Sequence, residues 1–457
     1  MPGSRYGSCI LPCTRRSRAE ELIDHSDLGW LRHISNHGLC MKDSESVDAR
    51  GIRPRILFLC QTLPYPPDGG VNIRAFHLLR ILASRYEVTA LCFYREGTRK
   101  SPDAIREGIS GLSRFAHRVE AFPIPQERSR VRWVWDHLRS VVSGRVYTAF
   151  THDSAPFQRR LNELLESEEF DLAHVDSLDL SWYLPALRDL PVVVDHHNVE
   201  SQLLHRRAQT ESNPLRRHYI GHQSRLMQKE EVTWCPKVAL NLAVSEEDGA
   251  QLRSQSPSAN VIVVPNGVDT DTFVPGSGPE EGIVFVGGHT WFPNRDGMGY
   301  FADSILPLIR KELPEITVTW VGRAPPELVE HYREQHGIQL TGYVDDIRPY
   351  VQGAACFIVP LRVGGGTRLK ILDAWAMGKA VVSTSQGAEG LDARDGWNIL
   401  IRDDPAEFAT AVIESVQDPA LRSRLGSAGR DTVLASYSWD IIGDALHSEL
   451  QSRPRSS

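Results

Sequence analysis

Gly364, Gly365, Gly366, Thr367, Arg368 and Lys370 stand together in PLRVGGGTRLKILDAWAMGKAVVST, residues 360–384. The glycines remove the side chains that would hold a backbone away from a bulky anion. Thr367, Arg368 and Lys370 fall where an apolar helical spacing begins, and Asp373 lies within it. A helix start offers free N–H groups and the positive end of a dipole, Arg clasps phosphate oxygens through two hydrogen bonds, and Lys adds a point charge. The stretch therefore suits a phosphate. The competing reading is a surface loop leading into a solvated cationic face; glycines, a hydroxyl and two cations coinciding at one helix start weigh against it.

Other candidates follow apolar runs, as ligands of open α/β sheets gather at the carboxyl ends of strands. After RILFLC come Asp68, Gly69 and Gly70, just before a helical pattern; a plain turn after PYPP explains these as well. After VVVD come His196, His197 and Asn198, suited to acid–base work or to hydrogen bonding a polar ligand, with capping and packing as the alternative. No further His, Cys or Asp cluster has ligand spacing, so no metal is expected. After GIVFV come Gly287, Gly288 and His289, with Asn294 placed to cap the next helix, and after TVTWVG comes Arg323.

The elements that must position these residues alternate. RPRILFLC, YEVTALCFY, FDLAHVD, LPVVVDHHN, VALNLAVS and NVIVVPNGVD read as strands of one half. GIVFVGG, TVTWVGR, IQLTGYV, AACFIVPL, AVVSTS and NILI read as strands of another. Helical patterns separate most of them, and one long, polar, basic helical stretch occupies 200–235. The prediction is an α/β chain of two doubly wound, Rossmann-like domains at 53–272 and 282–430, joined by the Gly/Pro-rich linker 273–281. Residues 431–457 give a terminal helix packing back toward the first domain, and a tail. Residues 1–52 lack sustained periodicity and are expected to be a largely disordered extension, with one short helix near Arg18–Ile34 and with Met41 as an alternative start.

Composition narrows the function. A net charge of −7 over 457 residues argues against bulk nucleic-acid binding. Seven scattered cysteines without a C-x-x-C pair fit a reducing compartment, with Cys60 and Cys92 as buried thiols. No apolar run is long enough for a transmembrane helix, and SCILPC is too short for a signal-peptide core. The expectation is a cytoplasmic protein, peripheral on the inner face of a membrane if RSRVRWVWDHLRS (128–140) and the basic stretch 205–229 meet anionic lipid or a lipid-linked acceptor. Solvated helix faces with core-facing tryptophans are the alternative for both. A P-loop is absent, and no G-x-G-x-x-G follows the strands at 53–60 or 282–288.

Over residues 53–445 the chain resembles the family 4 (group 1) glycosyltransferases of GT-B fold, on ILFLCQTLPYPPDGGVNIRAFHLLRILA, VVPNGVD and PLRVGGGTRLKILDAWAMGKAVVSTSQGAEGL. The first and last of these also resemble bacterial sugar transferases of exopolysaccharide and exosortase loci. The resemblance implies retaining transfer of a hexose from a nucleotide diphosphate-sugar to a glycan or lipid-linked acceptor, with no cofactor and no structural need for metal. It implies that Gly69 and Gly70 lie near the donor phosphates and the acceptor, and His197 near the transferred sugar. Arg368 and Lys370 match the diphosphate clamp, and Asp373 the second acid of an E-x7-E motif that holds the donor ribose. Gly287, Gly288, Arg323, Gly365, Gly366 and Thr367 complete the donor site, with the base read by backbone from Gly342 to Asp345, Val344 included. The chain departs from the family where the first acid of that motif is Gly365 and the second is Asp, one methylene shorter than Glu. His289, Asn294 and Arg295 stand where the family often has Arg and Lys. A nucleotide-sugar epimerase of the same fold, or a catalytically impaired nucleotide-sugar-binding protein, remains open beside transfer.

Overall fold

The continuous apolar runs become strands buried on both faces. In the computed structural model, which describes residues 53–96, 101–364 and 368–452, they form two parallel sheets. The expected extension at 1–52, together with Gly365, Gly366 and Thr367, lies outside the described residues.

The first sheet contains β1 (Arg55–Cys60), β2 (Glu87–Tyr94), β3 (Arg118–Pro123), β4 (Leu172–Asp176), β5 (Val192–His196), β6 (Leu240–Ala243) and β7 (Val261–Val263), ordered β3-β2-β1-β4-β5-β6-β7. The second contains β8 (Ile283–Val286), β9 (Val318–Val321), β10 (Ile338–Leu340), β11 (Cys356–Val359), β12 (Val381–Ser383) and β13 (Leu400–Ile401), ordered β10-β9-β8-β11-β12-β13. Each order grows one way from its first strand and then reverses, which is double winding. The crevices for ligands open at β1/β4 and β8/β11. This is the expected fold class. Strand β3 had no counterpart in the sequence reading: RVEAFP is a half-buried edge strand whose charged residues break the apolar run.

Eight helices bear on the site: α1 (Gly70–Arg85), α2 (Arg130–Ser143), α3 (Glu200–Thr210), α4 (Pro214–Trp234), α5 (Phe292–Tyr300), α6 (Leu369–Ala376), α7 (Pro419–Ser436) and α8 (Trp439–Gln451). The basic stretch 200–235 is two helices, α3 and α4. Asn213 caps the second, its Oδ1 accepting from the N–H groups of Leu215 and Arg216 at 3.0 and 3.1 Å, and Pro214 occupies the first helical position.

Helix α7 runs through residue 430 and stays in the second domain, where Val433 and Tyr437 join its core. The return falls at Ser438. Trp439, Ile442 and Leu446 of α8 then pack into the core of the first domain beside β1 and α1, and Trp439 stacks on His77 with ring centres 4.5 Å apart. The outgoing chain passes alongside: Val268 N–H donates to Tyr437 O at 2.8 Å, and Val268 pairs with Ser438 as a parallel bridge. Residues 273–281 are strapped to the second domain, since Gln352 Nε2 donates to Val274 O at 2.8 Å and Glu280 is held by Lys379 and Arg422.

One buried ion pair fixes the first domain. Arg74, one turn into α1, donates to both oxygens of Asp195 on β5 at 2.7 and 2.6 Å, and both side chains are fully buried. Its Nη1 also reaches Val264 O at 2.9 Å and Asn266 Oδ1 at 3.1 Å, at the start of the crossover. Burial alone would raise the Asp195 carboxyl; the guanidinium overrides that and holds it at about 2. Removing one partner strands the other charge, so Arg74→Leu is expected to cost about 3–5 kcal/mol in urea denaturation. A loss below about 1 kcal/mol would show that the pair is not a structural fixture.

Candidate active site between the two sheets

The candidate residues come from strand ends of both domains, and the two groups meet. A Cβ placed on Gly70 would lie 3.5 Å from Leu369 Cδ1, so the start of α1 faces the start of α6. Arg206 of α3 reaches across the cleft, donating to Gly364 O at 2.8 Å and to both oxygens of Glu389 at 3.0 and 2.9 Å.

On the second domain, β8 ends in the loop of Gly287 and Gly288. A Cβ on Gly287 would sit 2.6 Å from Asn294 Nδ2, so any larger residue there would displace the Asn294 side chain from the loop. Asn294 does not cap α5. Trp291 holds the N-cap position, and Asn294, inside the first turn, donates from Nδ2 to Gly288 O at 3.0 Å. Its Oδ1 accepts from Lys370 Nζ at 2.7 Å. The same ammonium lies 4.3 Å from the centre of the Phe285 ring. Burial lowers Lys370 to about 7, the Arg368 charge pushing the same way and Asp373 opposing. Burial likewise raises Asp373 to about 7, against Lys370.

Arg368 is the N-cap residue of α6 and is buried. Burial lowers it to about 10. Its Nη2 donates to Gln386 O at 3.3 Å and stands 4.0 Å from Glu389 Oε2. Arg323 lies over the ring of Tyr343, 4.4 Å from its centre, where backbone at Gly322 and Gly342 forms an antiparallel bridge. Val344 packs, partly buried, against the second domain's core. His289 donates its N–H to Arg323 O at 2.8 Å.

On the first domain, Gly69 is the N-cap of α1 at φ +88°. The two histidines at the end of β5 face opposite ways. His196 is buried against Asn241 Oδ1 at 3.0 Å, whereas His197 Nε2 bonds Asp176 Oδ1 at 2.7 Å. The other Asp176 oxygen accepts from Cys60 Sγ at 3.2 Å. Burial opposes charge on His197, but Asp176 and then Asp195 override it and raise its pKa above the ordinary 6.5. Glu200, bonded by Asn198 Nδ2 at 3.1 Å, is pushed up to about 7 by burial. The ligand atoms of Asp176, Asp195 and His197 lie within 4.8 Å of one another, a spacing a metal could use. Both Asp195 oxygens are bonded by Arg74 and both Asp176 oxygens meet protein groups, so the carboxylates are already committed to orienting side chains.

The structure thus brings Gly69, Gly70, Arg368, Lys370, Gly287 and Gly288 to facing strand and helix ends, with His197 on the first domain's side. The sequence reading passed over Asp176 and Asp195, although the first ends β4 and the second stands one residue before the end of β5. Arg74, Arg206 and Glu389 gave no local signal, since their partners are 121, 183 and 183 residues away.

Two doubly wound domains, an α8 that returns to the first, and a cationic helix start at their junction define the GT-B class of fold. The model of Glycosyltransferase Family 4 matches residues 68–272, and that of Glycosyl transferases group 1 matches residues 280–418. The chain belongs to the group 1, family 4 glycosyltransferases. It is 35% identical over 124 residues to the lipopolysaccharide core biosynthesis glycosyltransferase LpsE of Rhizobium meliloti, covering 26% of this chain and 35% of that one. It is 31% identical over 109 residues to a GDP-mannose-dependent monoacylated alpha-(1-6)-phosphatidylinositol monomannoside mannosyltransferase of Corynebacterium glutamicum, covering 22% and 29%. The matched stretches thus span about a third of these relatives' own length. In fold it is similar to sucrose-phosphate synthase of Thermosynechococcus elongatus (TM-score 0.66, 18% identity, 87% of this chain and 98% of that one). It is also similar to Anabaena HepE in complex with UDP (TM-score 0.61, 15% identity, 87% and 100%).

The raised His197 pKa has a definite sign. Its stabilisation is present below the unfolded value near 6.5 and is lost as pH rises through the higher folded value. NMR titration should find the His197 midpoint above 6.5 in the wild type. In Asp176→Asn the midpoint should move down, because burial then acts with less opposition.

Proposed function

We propose that the protein is a retaining hexosyltransferase that moves a sugar from a nucleoside diphosphate donor to a glycan or lipid-linked acceptor in polysaccharide or glycoconjugate assembly. In this reading no metal or other cofactor takes part. The observation that carries it is the junction itself: Arg368 at the start of α6, and Lys370 held by Asn294 against the Gly287–Gly288 loop, facing Gly69 and Gly70. The relatives named above as glycosyltransferases, one of them GDP-mannose-dependent, and the fold neighbour solved with UDP support the same reading.

The bond from the sugar's anomeric carbon to the diphosphate oxygen breaks, and negative charge develops on the leaving phosphate. Arg368, Lys370 and the first amides of α6 stabilise that charge as preorganised electrostatics. The acceptor hydroxyl attacks from the side the leaving group departs, and its proton passes to a leaving phosphate oxygen. His197, held by Asp176 and inclined to keep its proton, orients a hydroxyl by donating a hydrogen bond rather than acting as a base. Asp373 serves the donor ribose, and Arg323 with the backbone at Gly342–Asp345 lies on the side of the base. Closing the domains excludes water and limits hydrolysis of the donor.

Calorimetry with UDP, GDP, ADP and NAD should find one diphosphate that binds the wild type and loses affinity in Arg368→Ala. Turnover in Arg368→Ala should fall about 10²–10³-fold, well beyond the loss in Asp373→Ala. Equal turnover of Arg368→Ala and wild type would remove the charge-stabilising role. Donor turnover without any acceptor would favour epimerisation, and binding of NAD alone would remove the reading of the glycine stretch.

Lys370 gives a pH dependence. A bound diphosphate returns the proton that burial discourages, so diphosphate affinity should fall as pH rises above about 7, by up to about tenfold per unit. A pH-independent affinity between 6.5 and 8.5 would place the phosphate away from Lys370.

A further inference from the structure

Helix α2 is built inside out. Its buried residues are Asp136 and Ser140, which bond Arg132, Gln126, Gln223 and the carbonyl of Arg145. Its apolar residues face outward: Val131, Val134, Trp135, Leu138, Val141 and Val142, at the spacing of one helical face. Val131 is 78% exposed, Trp135 60% and Val142 89%. Trp133 adds a half-exposed ring at the edge. A stripe running along three helical turns and left about half or more exposed by the described residues is not core and is too continuous to be scattered surface.

The neighbouring helix extends this face. Helix α4 lies alongside α2, joined by His137 Nδ1 to Tyr219 OH at 2.5 Å and Gln223 Nε2 to Ser140 Oγ at 3.0 Å. Leu215, one turn before Tyr219, is 82% exposed. The charges on the two helices are one-sided. Asp136, Glu230 and Glu231 are their acids, and all three are buried. The exposed charges are Arg130, Arg216, Arg217, Arg225 and Lys229.

We infer that α2, flanked by the cations of α4, docks the first domain on an anionic lipid bilayer, with the Val/Leu/Trp stripe entering the boundary between headgroups and acyl chains. A basic, Trp-bearing amphipathic helix lying in the interface plane has this composition. A second copy of the chain fits less well, because joining two such faces would bring their rows of cations together, whereas an anionic leaflet opposes them with the right sign. The inference does not rest on sugar transfer, so its failure would leave the proposed function standing.

Vesicle flotation of the full chain tests it, with phosphatidylcholine alone and with phosphatidylcholine mixed with phosphatidylglycerol. Wild type should float with the anionic vesicles, more weakly with neutral ones, and less as salt rises. Trp135→Asp and Leu138→Asp, both on the exposed face, should each lower binding to anionic vesicles roughly tenfold or more. Both should keep wild-type circular dichroism and nucleoside diphosphate affinity. Equal flotation of wild type and both variants, or none at low salt, would overturn the inference. So would a concentration-dependent dimer in sedimentation velocity that the variants abolish, which would give the face to a second copy.

Discussion

The buried pair of Arg74 and Asp195 is the constraint on which the first domain turns. A guanidinium taken fully out of water needs partners for its donors, and the resulting network ties together three parts of the chain. Helix α1 supplies the arginine and so fixes where Gly69 and Gly70 begin the helix. Strand β5 supplies the carboxylate immediately before His196 and His197. The crossover supplies the carbonyls of Val264 and Pro265 and the amide oxygen of Asn266. The glycine loop, the histidine and the start of the path to the second domain are therefore set by a single side chain.

The second domain solves a similar problem with a weaker bond. Asn294 joins the Gly288 carbonyl to the Lys370 ammonium, so the loop after β8 and the start of α6 hold one geometry. Burial leaves that ammonium and the nearby Asp373 both poised near neutrality. A site whose charges are held ready but poorly solvated gains more from an anionic ligand than one already neutralised by its own salt bridges.

Much of this was legible in the sequence, for identifiable reasons. Runs such as ILFLC in β1 and VVV in β5 announce themselves because strands buried on both faces are near-continuously apolar. The start of α6 was readable because glycines, Arg368 and Lys370 adjoin in sequence. Strand β3 was missed because an edge strand need not be apolar, and the break between α3 and α4 because one basic composition spans both helices. Asn294 was misassigned because Asn at a helix start usually caps, whereas here its partners come from the loop before it and from a helix 76 residues on. Asp176 and Arg206 act through long-range partners, which spacing does not reveal.

The chain crosses between the domains twice, and the two crossings are bonded side by side where Val268 meets Tyr437 and Ser438. Two adjacent struts remove degrees of freedom that a single tether would leave. One domain cannot slide along the other or twist about a lone connection; what remains is rotation about the line of the paired crossings. Rotation about that line would keep the facing loops in one register. In the proposed transfer, alignment of donor and acceptor would then be a property of the paired crossings, and a substitution there would spoil chemistry it never touches.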